Sequence, residues 1–213
     1  MTRPDTSTAP ARKTRIQARN EQRILDAAEK IFASYGYRGA TIDTIADNAG
    51  MSKPNLHYYF KRKRDLYLAV LTRTLETWLA PLSELNPDGD PEQELRHYIL
   101  EKVEMTRTNP VASRLFANEI LQGAPFLETY LKTDLRDLVD RKSTVIKGWI
   151  AEGKLRDVDP HHLIFLIWAG TQHYADFEPQ VRAVMDAPRL TRAHFSEIGD
   201  SLCGIILNGI LPR

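Results

Sequence analysis

Apolar residues recur in this chain at helical spacing from residue 24 almost to its end, and no segment shows the period-two alternation of a half-buried strand. That pattern predicts an all-α fold of about nine helices. Ile24, Leu25, Ala28, Ile31, Phe32 and Tyr35 make one face of a first helix that Gly36 would stop. Thr41 is placed to cap a short second helix carrying Ile42, Ile45, Ala46 and Ala49, and Gly50-Met51-Ser52 is a tight break. Ser52, with Pro54 in the first turn, opens a third helix to about Tyr59. Further helices are expected over 62–79 (ended by Pro81), 91–108, 111–121, 125–152, 160–176 and 191–211. Loops are marked by Asn86-Pro87-Asp88-Gly89-Asp90-Pro91 and Asn109-Pro110.

Charge divides the chain. Its 213 residues sum to +1, but residues 1–70 carry 13 Lys/Arg against 7 Asp/Glu, and the remainder 16 against 21. A basic front on an acidic back suits a polyanionic partner for the front alone. Arg12, Lys13, Arg15 and Arg19 precede the first apolar stripe, either as a solubilising tail or as a phosphate-seeking arm. Residues 1–14 are expected to be mobile without a bound partner. The N-terminus has no apolar secretory core, and no apolar run reaches the ~18 residues of a membrane span. The single Cys203 excludes an internal disulfide and fits a cytoplasmic setting.

Residues 41–59 read as helix, glycine-containing turn, helix. Ile42, Ile45, Ala46, Ala49, Met51 and Leu56 would hold the pair against the first helix. A helix-turn-helix puts its second helix into the major groove, and here that helix presents Lys53, Asn55, His57 and Tyr58 outward. Asn pairs with an adenine edge; Lys reaches guanine acceptors or phosphate. The run Lys61-Arg62-Lys63-Arg64 opens the fourth helix, where basic charge opposes the helix dipole and so suggests an anionic partner. A three-helix packing unit with a solvated basic face would also fit the pattern.

Thr41-Ile42, Ile45-Ala46 and Ala49-Gly50-Met51-Ser52, followed by Leu56, Tyr58-Tyr59-Phe60, Lys63 and Leu66, resemble in type and spacing the TetR family of repressors, over about residues 20–70. The resemblance implies a DNA-binding head (15–61) behind the arm (1–14), and a helical effector-binding and dimerisation domain (62–213). It implies phosphate contacts by Thr41, Tyr58 and Lys63, base contacts by Lys53, Asn55 and His57, and Ser52 in the DNA-facing set. It also implies a homodimer on a palindromic double-stranded operator.

In the rear part, Leu163-Ile164-Phe165-Leu166-Ile167-Trp168 is apolar on every side, which calls for burial all round. With the stripe Ile198, Leu202, Ile205, Ile206 and Ile210 it reads as a dimer seam or as ordinary core. Trp168 and Gln172 share a face, and an indole beside a carboxamide suits a flat ligand with adjacent donor and acceptor. Trp78, Phe116, Asn118 and Tyr174 are candidates for the remaining walls.

Trp78-Leu79-Ala80-Pro81-Leu82, Ala112-Ser113-Arg114-Leu115-Phe116, Gly123-Ala124-Pro125 and 163–177 are similar to the pyrimidine-utilisation repressors within that family. This implies a uracil- or thymine-like effector, no cofactor, and control of nucleobase catabolism. A different planar or hydrophobic effector, and a sequence-neutral architectural DNA binder, are the alternatives. His161, His162 and His173 with Asp159 and Asp176 lack the spacing of a metal motif, and no phosphate loop is present, so no enzyme is expected. Lys63 and Trp78 lie 15 residues apart, about 22 Å along one helix at ~1.5 Å per residue, which suggests a lever between DNA and effector.

Overall fold

The computed structural model describes residues 15–212, and among them every regular element is a helix. Arg12 and Lys13 of the expected arm lie outside the described residues. The chain forms two compact units that divide between Leu66 and Tyr67.

The first unit holds α1 (Arg15–Gly39), α2 (Ile42–Asn48) and α3 (Lys53–Tyr59). α1 buries Ile24, Ala27, Ala28, Ile31 and Phe32, and its first turns are polar, so the stripe alone undercounts its length. Gly36 has φ 67°, a left-handed geometry open to a residue without Cβ, and it breaks the helix where the sequence placed its stop. One more turn follows to Gly39. The Thr41 side chain accepts from the Thr44 amide, capping α2, and the Ser52 side chain accepts from the Asn55 amide, capping α3. Gly50 (φ 63°) makes the turn between them. Arg23 on α1 donates Nη2 to the Ala49 carbonyl at 2.7 Å, tying that turn to the first helix. Ile45, Ala46, Ala49 and Leu56 close the small core.

From α4 (Lys63–Ser83) onward come α5 (Pro91–Thr108), α6 (Pro110–Leu121), α7 (Glu128–Tyr130), a π-helical turn (Leu131–Leu135), α8 (Arg136–Ala151), α9 (Pro160–Asp176), α10 (Glu178–Val184) and α11 (Arg192–Ile210). α5 is central, packed on α9 and α11 through Leu95, Tyr98, Ile99 and Val103.

Four local expectations differ. Pro81 lies inside α4, two residues before its end, where the missing N–H costs at most one bond. The helix expected over 125–152 is interrupted by the π-turn. The segment after Asp176 folds into α10, too short for a periodic signal. Phe165 and Leu166 are 49% and 56% exposed, while Leu163, Ile164 and Ile167 are buried, so the apolar run is covered on one side only within the chain.

Glu119 of α6 is 2% exposed; its carboxylate accepts from the Tyr67 hydroxyl at 3.1 Å and the Phe126 amide at 2.8 Å. It fastens the α6–α7 connection, whose Ala124 sits at φ 54°. Glu119→Leu removes the acceptor of both bonds and is expected to lower stability by about 2–4 kcal/mol, with Glu119→Gln losing less, as read from urea unfolding midpoints.

Candidate DNA interface and candidate effector cavity

In the first unit, Thr41, Ser52, Lys53, Asn55 and Tyr58 are exposed and His57 is half-buried. Lys53, Asn55 and Tyr58 occupy the outward sides of a helix whose inward residue is Leu56. Two of these groups have partners already. Lys53 Nζ lies 2.9 Å from Asp43 Oδ2 in a solvent-exposed ion pair, an arrangement worth under about 1 kcal/mol and easily exchanged for another anion. The Tyr58 hydroxyl accepts from Gln17 Nε2 at 3.3 Å, and its ring meets Tyr59 edge-on at 5.2 Å. Asn20 Nδ2 donates to the Tyr59 hydroxyl at 3.1 Å, so α1 braces the end of α3.

Lys63 is held differently from the free cation that the sequence suggests. Its Nζ donates to the carbonyls of Tyr37 (2.8 Å) and Ala40 (2.9 Å) and lies 4.7 Å from the centre of the Tyr37 ring. It satisfies carbonyls left open at the end of α1, where a cation is favoured.

In the second unit, Trp78, Phe116, Trp168 and Gln172 line one cavity of about 40 Å³, together with Thr74, Leu75, Leu79, Lys102 and Leu135. Asn118 and Tyr174 are not in this wall. Asn118 is exposed and borders a groove outside it with Arg114 and Phe177. Tyr174, two residues beyond Gln172 and so about 200° round α9, packs against Val103, Phe195 and Ile198.

Lys102 is the residue that the sequence reading missed. It is 2% exposed, its ammonium lies 4.0 Å from the centre of the Trp78 ring, and among the described residues it has no hydrogen-bond partner. Burial pushes its pKa down to about 7, against the attraction of Asp176. Asp176 accepts from the Ser113 hydroxyl at 2.5 Å, and burial raises its own pKa. The signal was available: Lys102 interrupts the buried stripe Tyr98, Thr106 at i±4. A cation at a core position of an amphipathic helix marks a site.

Trp168 Nε1 donates to the buried Tyr98 hydroxyl at 2.6 Å. Its N–H is therefore used, and the indole offers the cavity a ring rather than a donor. Burial raises the Tyr98 pKa, which keeps that phenol neutral.

Two family models divide the chain between them. Residues 24–70 match the bacterial regulatory proteins of the tetR family, and residues 71–213 match the C-terminal region of YcdC-like proteins. The HTH-type transcriptional regulator RutR of Escherichia coli K12 is 46% identical over 202 residues, covering 95% of each chain. The chain belongs to the TetR family. It is a DNA-binding transcriptional regulator of that family, as its relatives are. Solved structures agree on the fold: the ketosteroid regulator KstR2 of Mycobacterium tuberculosis superposes with a TM-score of 0.70 at 20% identity, covering 91% of this chain and 95% of that one. AibR bound to isovaleryl coenzyme A and operator DNA gives 0.67 at 21%, covering 87% and 97%. No helix among the described residues is long and apolar enough to cross a membrane.

The buried cation makes stability depend on pH. With a folded pKa near 7 and an unfolded one near 10.4, the unfolded chain holds more protons between those values. Stability contributed by this group therefore rises with pH from about 7 to about 10. Lys102→Met is expected to be the more stable protein at pH 6, by a few kcal/mol, with the difference shrinking toward pH 10, as measured by denaturant unfolding at each pH.

Proposed function

We propose that this chain is a cytoplasmic, homodimeric repressor of nucleobase catabolism, released from a palindromic operator by a uracil- or thymine-like effector held in the cavity of the second unit. The observation that carries the reading is an unpartnered ammonium, Lys102, in a small cavity beside two indoles and a carboxamide. Each group matches one demand of an imide ring. Trp78 and Trp168 supply flat apolar walls. Gln172 has a carbonyl for the ring N–H and an amide N–H for the neighbouring carbonyl oxygen. Lys102 gives a charge-assisted hydrogen bond to a carbonyl oxygen, which recovers part of what its burial costs.

At about 40 Å³ the cavity has room for about three water-sized molecules. A six-membered ring fits only when the walls part. The ligand's preference for a widened state is then the differential affinity that coupling requires. Trp78 rides on α4, the helix that also carries Lys63, so a displaced indole has a direct way to bias the DNA-binding end.

At the DNA, Lys53, Asn55 and His57 read bases, while Thr41, Ser52, Tyr58 and Lys63 set the helix on the backbone. Lys63 uses two of its three N–H groups on carbonyls, leaving one for a phosphate. Exposed Phe165 and Leu166 on α9 and Ile205 on α11, the last 70% exposed, supply the self-complementary face of a twofold dimer.

Two outcomes are expected. Uracil raises the melting temperature and lowers affinity for an operator selected from random duplexes, and both responses are lost in Lys102→Met and in Gln172→Leu; an operator affinity that ignores uracil and thymine in the unmodified protein overturns the effector. Lys63→Ala weakens binding to every duplex and reduces the salt slope by about one, whereas Asn55→Ala relaxes sequence choice by about 1–3 kcal/mol, both measured by fluorescence anisotropy titration. Equal losses on operator and random DNA for Asn55→Ala remove it from the base-reading set.

A further inference from the structure

At least five side chains of the cavity wall border a second space: Leu79, Phe116 and Gln172 also line grooves elsewhere, and Leu135 and Trp168 line one along α9. Leu135 and Trp168 line the cavity that contains Lys102, and they also line a groove of about 360 Å³ on the other side. That groove lies along α9 and the π-turn, with Leu131, Val139, His161 and Phe165 among its walls. Leu135 and Trp168 are half-buried, as are Phe116 and Gln172, whereas Thr74, Leu75, Trp78, Leu79 and Lys102 are buried. The partition at this point is one side chain thick.

The two halves of the partition are held unequally. Trp168 is pinned by its bond to Tyr98 at 2.6 Å and by the Phe165 ring at 5.6 Å. Leu135 has only apolar contacts and rotates about two side-chain bonds. It is the last residue of the π-turn, where one extra residue in the helix shifts the direction of the side chains that follow. Such turns are weakly bonded and recur at functional sites. Here the widened turn delivers a leucine to the wall that the cavity shares with the groove along α9.

We infer that Leu135 is a specificity-determining residue of the cavity: beside the indole of Trp168, its isobutyl group separates the cavity from the groove along α9 and excludes ring substituents directed toward that groove. The ligand part rests on the effector reading above; the partition rests on geometry alone. Removing the isobutyl group joins the cavity to the groove, so a substituent on the ring gains somewhere to lie. Shortening the side chain leaves Lys102, Gln172 and the indoles in place, so a single ring keeps its partners.

The test compares the unmodified protein with Leu135→Ala and the milder Leu135→Val, both checked for native helical content. Probes are uracil, 5-phenyluracil and 6-phenyluracil, which keep the imide edge and extend the ring in different directions. In Leu135→Ala, at least one phenyl derivative is expected to gain affinity over the unmodified protein by about tenfold more than uracil gains. Leu135→Val should fall between. A second arm needs no effector: acrylamide quenching of tryptophan fluorescence should increase in Leu135→Ala as Trp78, 5% exposed, becomes reachable from the groove. If uracil does not bind the unmodified protein but quenching rises, the effector reading fails and the partition stands. If quenching and ligand selectivity are both unchanged in the variants, the role of Leu135 is overturned whatever uracil does.

Discussion

An ammonium without a hydrogen-bond partner is among the most expensive groups that a helical bundle can bury, and the second unit is arranged around one. Lys102 is tolerated because the face of Trp78 lies against it and because Asp176 pulls on its charge from α9. Neither contact replaces the hydration that it lost, so its pKa falls to about 7. The same deficit makes the cavity receptive to a carbonyl oxygen. A methionine at this position would give a more stable bundle with nothing to say to a polar ligand. The lysine is costly as a packing group, which makes this cavity a candidate site.

The surrounding side chains restrict one another. Tyr98 takes the N–H of Trp168, which fixes that ring and removes a donor from the cavity. Ser113 takes one oxygen of Asp176 and holds it in place. Thr106 and Thr171 turn their hydroxyls back onto helix carbonyls, and Thr106 Oγ1 also reaches the Thr171 carbonyl at 3.1 Å, locking α5 to α9. The polar side chains lining the cavity are then few: Lys102, Gln172 and Thr74, whose hydroxyl is already used on the Val70 carbonyl. In the first unit the same economy applies. Thr41 and Ser52 satisfy helix ends, Arg23 and Lys63 satisfy carbonyls, and the exposed face of α3 keeps Asn55 in the open.

Much of this was legible in the residues. Caps at Thr41 and Ser52 follow from hydroxyls placed three residues before an open amide, and the break at Gly36 from a residue free to take positive φ. Trp168 and Gln172 share a wall because four residues make about one helical turn. Trp78 and Phe116 are legible only as rings, and the fold brings them to that wall. Asn118 and Tyr174 lie outside this wall for one geometric reason: each is two residues along its helix from Phe116 or Gln172, about 200° round the axis. Lys102 is hard to read from the sequence, because a lysine among charged neighbours on α5 looks like part of a solvated face until its phase is compared with Tyr98 and Thr106.

Local periodicity, caps and breakers therefore determined the helices, the three-helix head and the ring-bearing segments of this protein, since these depend on contacts within about one turn of chain. The tertiary structure alone decided that a lysine on α5 loses its water, that the Lys63 ammonium closes the end of α1, and that a π-turn presents Leu135 beside Trp168. Each of these depends on which faces of sequence-distant helices meet, and a helix carries no local record of the neighbour that it will be packed against.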